Sequence, residues 1–66
     1  FGAGFGADTI VGFTANFDDL VMQGFVEADL TLSTGGGDTT VTVNGTADSI
    51  TLQGVILTDF SDFDFV

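Results

Sequence analysis

From residue 30 to residue 53 the chain repeatedly alternates apolar and polar side chains. Leu30 and Leu32, Val41 and Val43, and Ile50 and Leu52 take the apolar positions; Thr31, Ser33, Thr40, Thr42, Asn44, Ser49, Thr51 and Gln53 take the polar ones. Successive side chains of an extended chain point to opposite faces, so this period of two predicts strands with one dry and one wet face. Ten Thr, seven Val and three Ile strengthen that reading, because β-branched side chains suit a pleated surface better than a helix. Turns are predicted at Gly35-Gly36-Gly37-Asp38 and at Asn44-Gly45, where both residues tolerate positive φ. Gly24 and Gly54 each follow Gln inside an apolar run, a place where glycine marks a bulge or a close backbone approach. The nearest candidate for a helix is one turn around Thr58-Asp59-Phe60-Ser61-Asp62.

Aspartates punctuate this pattern at Asp8, Asp18, Asp29, Asp38, Asp48 and Asp59, the beat expected of strands joined by tight turns. Asp18-Asp19-Leu20-Val21-Met22-Gln23-Gly24-Phe25 is echoed by Asp48-Ser49-Ile50-Thr51-Leu52-Gln53-Gly54-Val55. Both read Asp-x-aliphatic-x-(Met/Leu)-Gln-Gly-apolar, either through true repetition or because strands between turns share a composition.

The expected fold is all-β, with short antiparallel or roll-like strands joined by Gly/Asp turns. A β-roll cap and a β-sandwich-like sheet both meet that description, with strand sharing between chains as a further possibility. At 66 residues the chain is one small domain. It buries a modest fraction of its surface and, without Cys, has no disulfide to help. Eight Phe are expected to supply most of the core.

Charge narrows the functional classes. Ten acidic residues stand against no Lys, Arg or His, giving a formal charge of −10. Phosphate binding depends on Lys and Arg, so nucleic acid is excluded as a partner, and the same repulsion excludes anionic membranes. Membrane insertion is not expected from a chain so interrupted by Gly and Thr. Without His, Cys, Lys, Arg or Tyr there is no imidazole base, thiol nucleophile, Schiff-base amine or arginine clamp, so the chain is not expected to be an enzyme. Oxygen-only donors suit hard cations, and calcium is the expected partner. Phe1 is not an initiator Met and no secretory leader pattern is visible, so the chain reads as a fragment, a processed product or a domain addressed for export elsewhere.

The most specific local signal is Ala3-Gly4-Phe5-Gly6-Ala7-Asp8-Thr9-Ile10-Val11. It matches the nonapeptide G-G-x-G-x-D-x-U-x at every fixed position but the first, where Ala3 stands for Gly. In such a motif the glycines let backbone carbonyls turn toward an ion, the Asp supplies a charged oxygen and the large aliphatic residue enters the core. The candidate metal residues are therefore Gly4, Gly6 and Asp8, with Asp38 of Gly36-Gly37-Asp38 as a second candidate. A Gly-rich turn leading into a strand explains the same residues without an ion. Asp18-Asp19 reads as a solvated turn pair, because adjacent strand residues point apart.

Together these residues resemble the carboxy-terminal region of repeats-in-toxin proteins, the hemolysin-type calcium-binding family exported by type I secretion. Gly4-Phe5-Gly6-Ala7-Asp8-Thr9-Ile10-Val11-Gly12-Phe13 is similar to that family's last roll repeat passing into a strand. Ser49-Ile50-Thr51-Leu52-Gln53-Gly54-Val55 with Leu57-Thr58-Asp59-Phe60 resembles its closing strand, and Asp62-Phe63-Asp64-Phe65-Val66 its acidic-then-apolar tail. The resemblance implies a degenerate last roll repeat over 1–13, a strand meander over 14–57 and an acidic-aromatic tail over 58–66. It also implies calcium association, a secreted, extracellular location and an export role for Asp64, Phe65 and Val66. The alternative is an extracellular structural protein that assembles into a β-rich fibre or homo-oligomer, because strand edges here lack the Lys and Pro that usually block addition of further strands. A ligand-binding face made of the threonine rows is a third reading.

Overall fold

The computed structural model describes residues 1–66. Six strands form: β1 (Ala7–Val11), β2 (Leu20–Met22), β3 (Leu30–Gly35), β4 (Asp38–Val43), β5 (Ser49–Gln53) and β6 (Phe63–Phe65). The three alternating segments become β3, β4 and β5, and the fold is all-β. The helical turn falls at Glu27–Asp29, as a single 3₁₀ turn. The segment around Asp59 is instead a turn closed by Phe63 N–H donating to Phe60 O at 3.0 Å.

One sheet has the order β1-β5-β4-β3 and the other pairs β2 with β6. β3, β4 and β5 run as an antiparallel meander. β1 joins β5 in parallel, Ala7 opposite Ser49 and Val11 opposite Gln53, and β2 joins β6 in parallel, Leu20 opposite Phe63 and Met22 opposite Phe65. A parallel pair cannot close through a short hairpin and needs a long crossover, which this chain provides with residues 12–48 and 23–62. Phe1 extends the second sheet. Its terminal ammonium donates to Val21 O at 2.6 Å and its carbonyl accepts from Gln23 N–H at 2.8 Å, the partners of a parallel bridge to Met22 on the free side of β2.

The β3–β4 turn is the tight hairpin that the glycines predict. Gly36 and Gly37 both have positive φ, 62° and 83°, as a two-residue primed turn requires, and Gly35 faces Asp38 across it. The Asn44-Gly45 turn differs from expectation. Only Gly45 takes positive φ, and Val43 O accepts from Thr46 N–H inside a longer connection to β5. Gly24 and Gly54 are neither bulges nor close approaches. They end β2 and β5 at φ 82° and 76°, with open space where a Cβ would stand.

A single core draws on both sheets. Leu30, Val41, Val43, Ile50 and Leu52 come from the first, Leu20, Met22 and Phe63 from the second, and Phe13, Phe25 and Leu57 from connections. The expectation of a mainly aromatic core is corrected. Of eight Phe only Phe13, Phe25 and Phe63 are buried, Phe1, Phe5, Phe60 and Phe65 pack on the margin, and Phe17 is 85% exposed. The innermost positions belong instead to Met22, Ile50, Leu52 and Val41, together with Thr39. The rings meet at the periphery, Phe60 on Phe63 at 5.0 Å and Phe1 on Phe5 at 5.1 Å, both edge-to-face.

Candidate functional site

The carboxylates are the only ionised side chains, so their partners decide what the surface can do. Six of them accept backbone N–H groups. Asp48 takes two from the amino-terminal turn, Gly4 N–H at 3.0 Å on Oδ2 and Gly6 N–H at 2.9 Å on Oδ1. Gly4 and Gly6 have φ of 80° and 81°, the conformation in which nearby amides turn toward a common anion. Ser49 N–H then donates to Gly6 O at 3.0 Å, so the clasp leads directly into the β1–β5 ladder. Asp48 thus joins two segments more than forty residues apart at the point where their parallel pairing begins.

The other clasps follow the same chemistry. Asp38 Oδ1 accepts Gly54 N–H at 2.8 Å and ties the end of β5 to the start of β4. Asp62, buried despite its charge, accepts Asn16 N–H on both oxygens at 3.2 and 3.1 Å, which places the β1–β2 connection beside β6. Asp18 accepts Thr14 N–H at 2.8 Å and Asp29 accepts Val26 N–H at 3.0 Å, each within its own turn. Asp59 accepts Ser61 N–H at 3.0 Å, and the hydroxyl and amide of Ser61 together hold its carboxyl below the ordinary aspartate range. No buried side-chain polar atom lacks a partner.

These bonds answer part of the electrostatic problem that the sequence poses. In place of side-chain cations, orphan amides at turns supply partial positive charge, and hydrogen bonds to an ionised acceptor are among the stronger ones. The formal charge is unchanged, yet half or more of the acidic groups have a fixed donor.

The residues proposed from the sequence do not meet at one point. Asp8 lies exposed on β1, on the strand face shared with Ile10. The amides of Gly4 and Gly6 face Asp48, and Asp38 faces Gly54. No group of three or more carboxylates is gathered as metal ligands. Asp48 is the residue that sequence reasoning undervalued. Its signal was its place in the aspartate rhythm, directly before the β5 pattern. Asp18 and Asp19 are exposed, as expected of a turn pair.

The tail is part of the sheet. Val66 N–H donates to Met22 O at 3.0 Å and Val66 O accepts from Gly24 N–H at 2.9 Å, while Asp64 and Val66 face solvent and Phe65 is half-buried. No helix is long and apolar enough to cross a membrane. Comparison with protein-family models, with curated proteins and with solved structures gives no match.

Proposed function

We propose that the chain is a non-enzymatic, calcium-associated β-roll capping unit of a secreted protein. The observation that carries this reading is the stacking of two successive coils. β1 and β2 follow one another in different sheets, β5 and β6 do the same, and each strand of the second coil lies parallel to its counterpart in the first. Such repetition in both sheets is how a roll propagates, with the β3–β4 hairpin as an insertion that widens one sheet. Phe1, bridged in parallel to β2, supports the direction in which a further coil would lie.

Calcium enters this reading through Asp8. The residues present do not fit a complete site, since calcium takes about six to eight oxygens and Asp48 is engaged by two amides. An ion at Asp8 would need further oxygens from the turn of an adjoining coil. The export role falls on Asp64, Phe65 and Val66. Because β6 holds them against β2, a receptor would read them before the chain folds.

The test is to append the chain to an array of G-G-x-G-x-D-x-U-x repeats and follow calcium-induced folding by circular dichroism. The reading predicts that the capped array folds at lower calcium than the bare array. It also predicts that Asp8→Asn removes the gain while Asp19→Asn keeps it. Identical calcium midpoints for capped and bare arrays would contradict it.

A further inference from the structure

The free strand edges of the molecule are not equivalent. β1 carries Asp8 on the face that it shares with Ile10 and that continues onto the buried Ile50 and Leu52, and an inward charge is a recognised block to strand addition. The outer side of β2 is occupied by Phe1. β6 is three residues long with Asp64 at its centre. β3 differs from all of these, with six residues, Leu-Thr-Leu-Ser-Thr-Gly, that include no charge and no proline.

Its backbone is oriented for pairing. Asn44 N–H donates to Asp29 O, and in an antiparallel ladder hydrogen-bonded pairs alternate, so Thr31, Ser33 and Gly35 face β4. Leu30, Leu32 and Thr34 therefore direct their backbone groups outward. Leu30 N–H is taken by Glu27 O, which leaves Leu30 C=O and both groups of Leu32 and Thr34 free. Leu30 is buried and Leu32 half-buried, so the core face runs out to this edge and stops there incompletely covered.

We propose that β3 is a self-association edge whose occupant is β3 of a second copy, paired antiparallel across a two-fold axis at Leu32. In that register Leu32 exchanges both hydrogen bonds with its symmetry mate, and Leu30 C=O receives Thr34 N–H in each direction. The Leu32 side chains meet on the core face, and Thr31 meets Ser33 on the outer face. Shifting the register by one residue sets inward faces against outward ones, so the pleat admits this alignment and rejects its neighbours. The segment Leu30–Thr34 itself contains no acidic residue, Asp29 lies at its margin opposite Gly35 of the second copy, and the repulsion between copies yields to salt. The result is a closed dimer with one continuous sheet, independent of the capping role.

The test is sedimentation velocity of the whole chain from micromolar to millimolar concentration in about 1 M NaCl, where the Debye length is roughly 3 Å. It is paired with amide hydrogen exchange at both ends of that range. A monomer–dimer equilibrium is expected, with Leu32 and Thr34 amides gaining protection as concentration rises and Thr9 and Val11 amides unchanged. Thr34→Pro removes an outward N–H without breaking an internal bond, and should weaken dimerisation at least about tenfold. Thr9→Pro on the β1 edge should leave it intact. A monomer throughout, growth beyond the dimer, concentration-independent exchange at Leu32 and Thr34, or loss of the dimer in Thr9→Pro would overturn the proposal. The exchange measurement decides the matter even if Thr34→Pro does not fold.

Discussion

Replacing Asp48 by Asn tests whether the clasp at the amino-terminal turn holds the parallel join. Each oxygen of Asp48 receives one amide, from Gly4 and from Gly6. Asparagine keeps one acceptor and presents an NH₂ group to the second amide, so one bond is lost and donor faces donor. A hydrogen bond to a charged acceptor contributes about 1.5–3 kcal/mol, and Asp48 is half-exposed, so the expected loss is about 1–2 kcal/mol. A chain of this size has roughly 3–10 kcal/mol of stability, and each kcal/mol lost lowers its melting temperature by about 4–8 °C. Urea unfolding followed by circular dichroism measures the change. Asp8→Asn is the matched control. It removes the same formal charge from an exposed strand position and should alter stability by less than about 0.5 kcal/mol. Equal shifts of the urea midpoint in the two variants would show that net charge, not the clasp, governs stability, and the reasoning would fail.

Thr39 is fully buried, donates to Val55 O at 2.7 Å and accepts Leu57 N–H at 2.8 Å, so it anchors the segment after β5. Thr39→Val should cost about 2–3 kcal/mol in a urea melt while Thr39→Ser keeps most of the stability, because valine orphans two buried backbone groups. Asn16 has φ 68°, a conformation that costs most residues roughly 1 kcal/mol. Asn16→Ala should therefore lower the melting temperature and Asn16→Gly should leave it nearly unchanged. For Asp59 the carboxyl is lowered in the folded state, so its contribution to stability is present above the unfolded value and lost as pH falls through the lowered one. Ser61→Ala should raise the Asp59 titration midpoint toward the ordinary aspartate range, observable by carboxyl carbon NMR.

Sequence pattern reached as far as local physics reaches. β3, β4 and β5 are each long enough for alternation to show, and their pairing follows from the short connections between them. β1 pairs with β5, and β2 with β6, across long stretches of chain, and neither short strand carries a pattern that names its partner. The expectation of antiparallel or roll-like strands therefore leaves open which strands join in parallel, and the structure pairs β1 with β5 and β2 with β6 in that sense. Of the aspartates in the rhythm, Asp29 lies in the 3₁₀ turn and Asp38 opens β4 directly after the Gly36-Gly37 turn, whereas Asp8 lies inside β1. What the rhythm could not supply was the distant amide that Asp48 or Asp62 accepts, because that choice exists only once the parallel strands have met. Phe17 and Phe63 are alike in composition, yet one lies in an exposed turn and the other on the core face of β6. The motif casts Gly4 and Gly6 as carbonyl donors to an ion, whereas in this chain both amides are taken by Asp48 and the Gly6 carbonyl by Ser49 N–H.

The parallel pairing of β1 with β5 and of β2 with β6 underlies the fold and supports the proposed capping role, and scalar couplings across hydrogen bonds measure it atom by atom. In isotope-labelled protein the account predicts couplings from Ser49 N–H to Gly6 C=O, from Leu20 N–H to Asp62 C=O and from Val66 N–H to Met22 C=O. Couplings that instead pair β1 or β2 with a neighbouring segment in antiparallel register would contradict it.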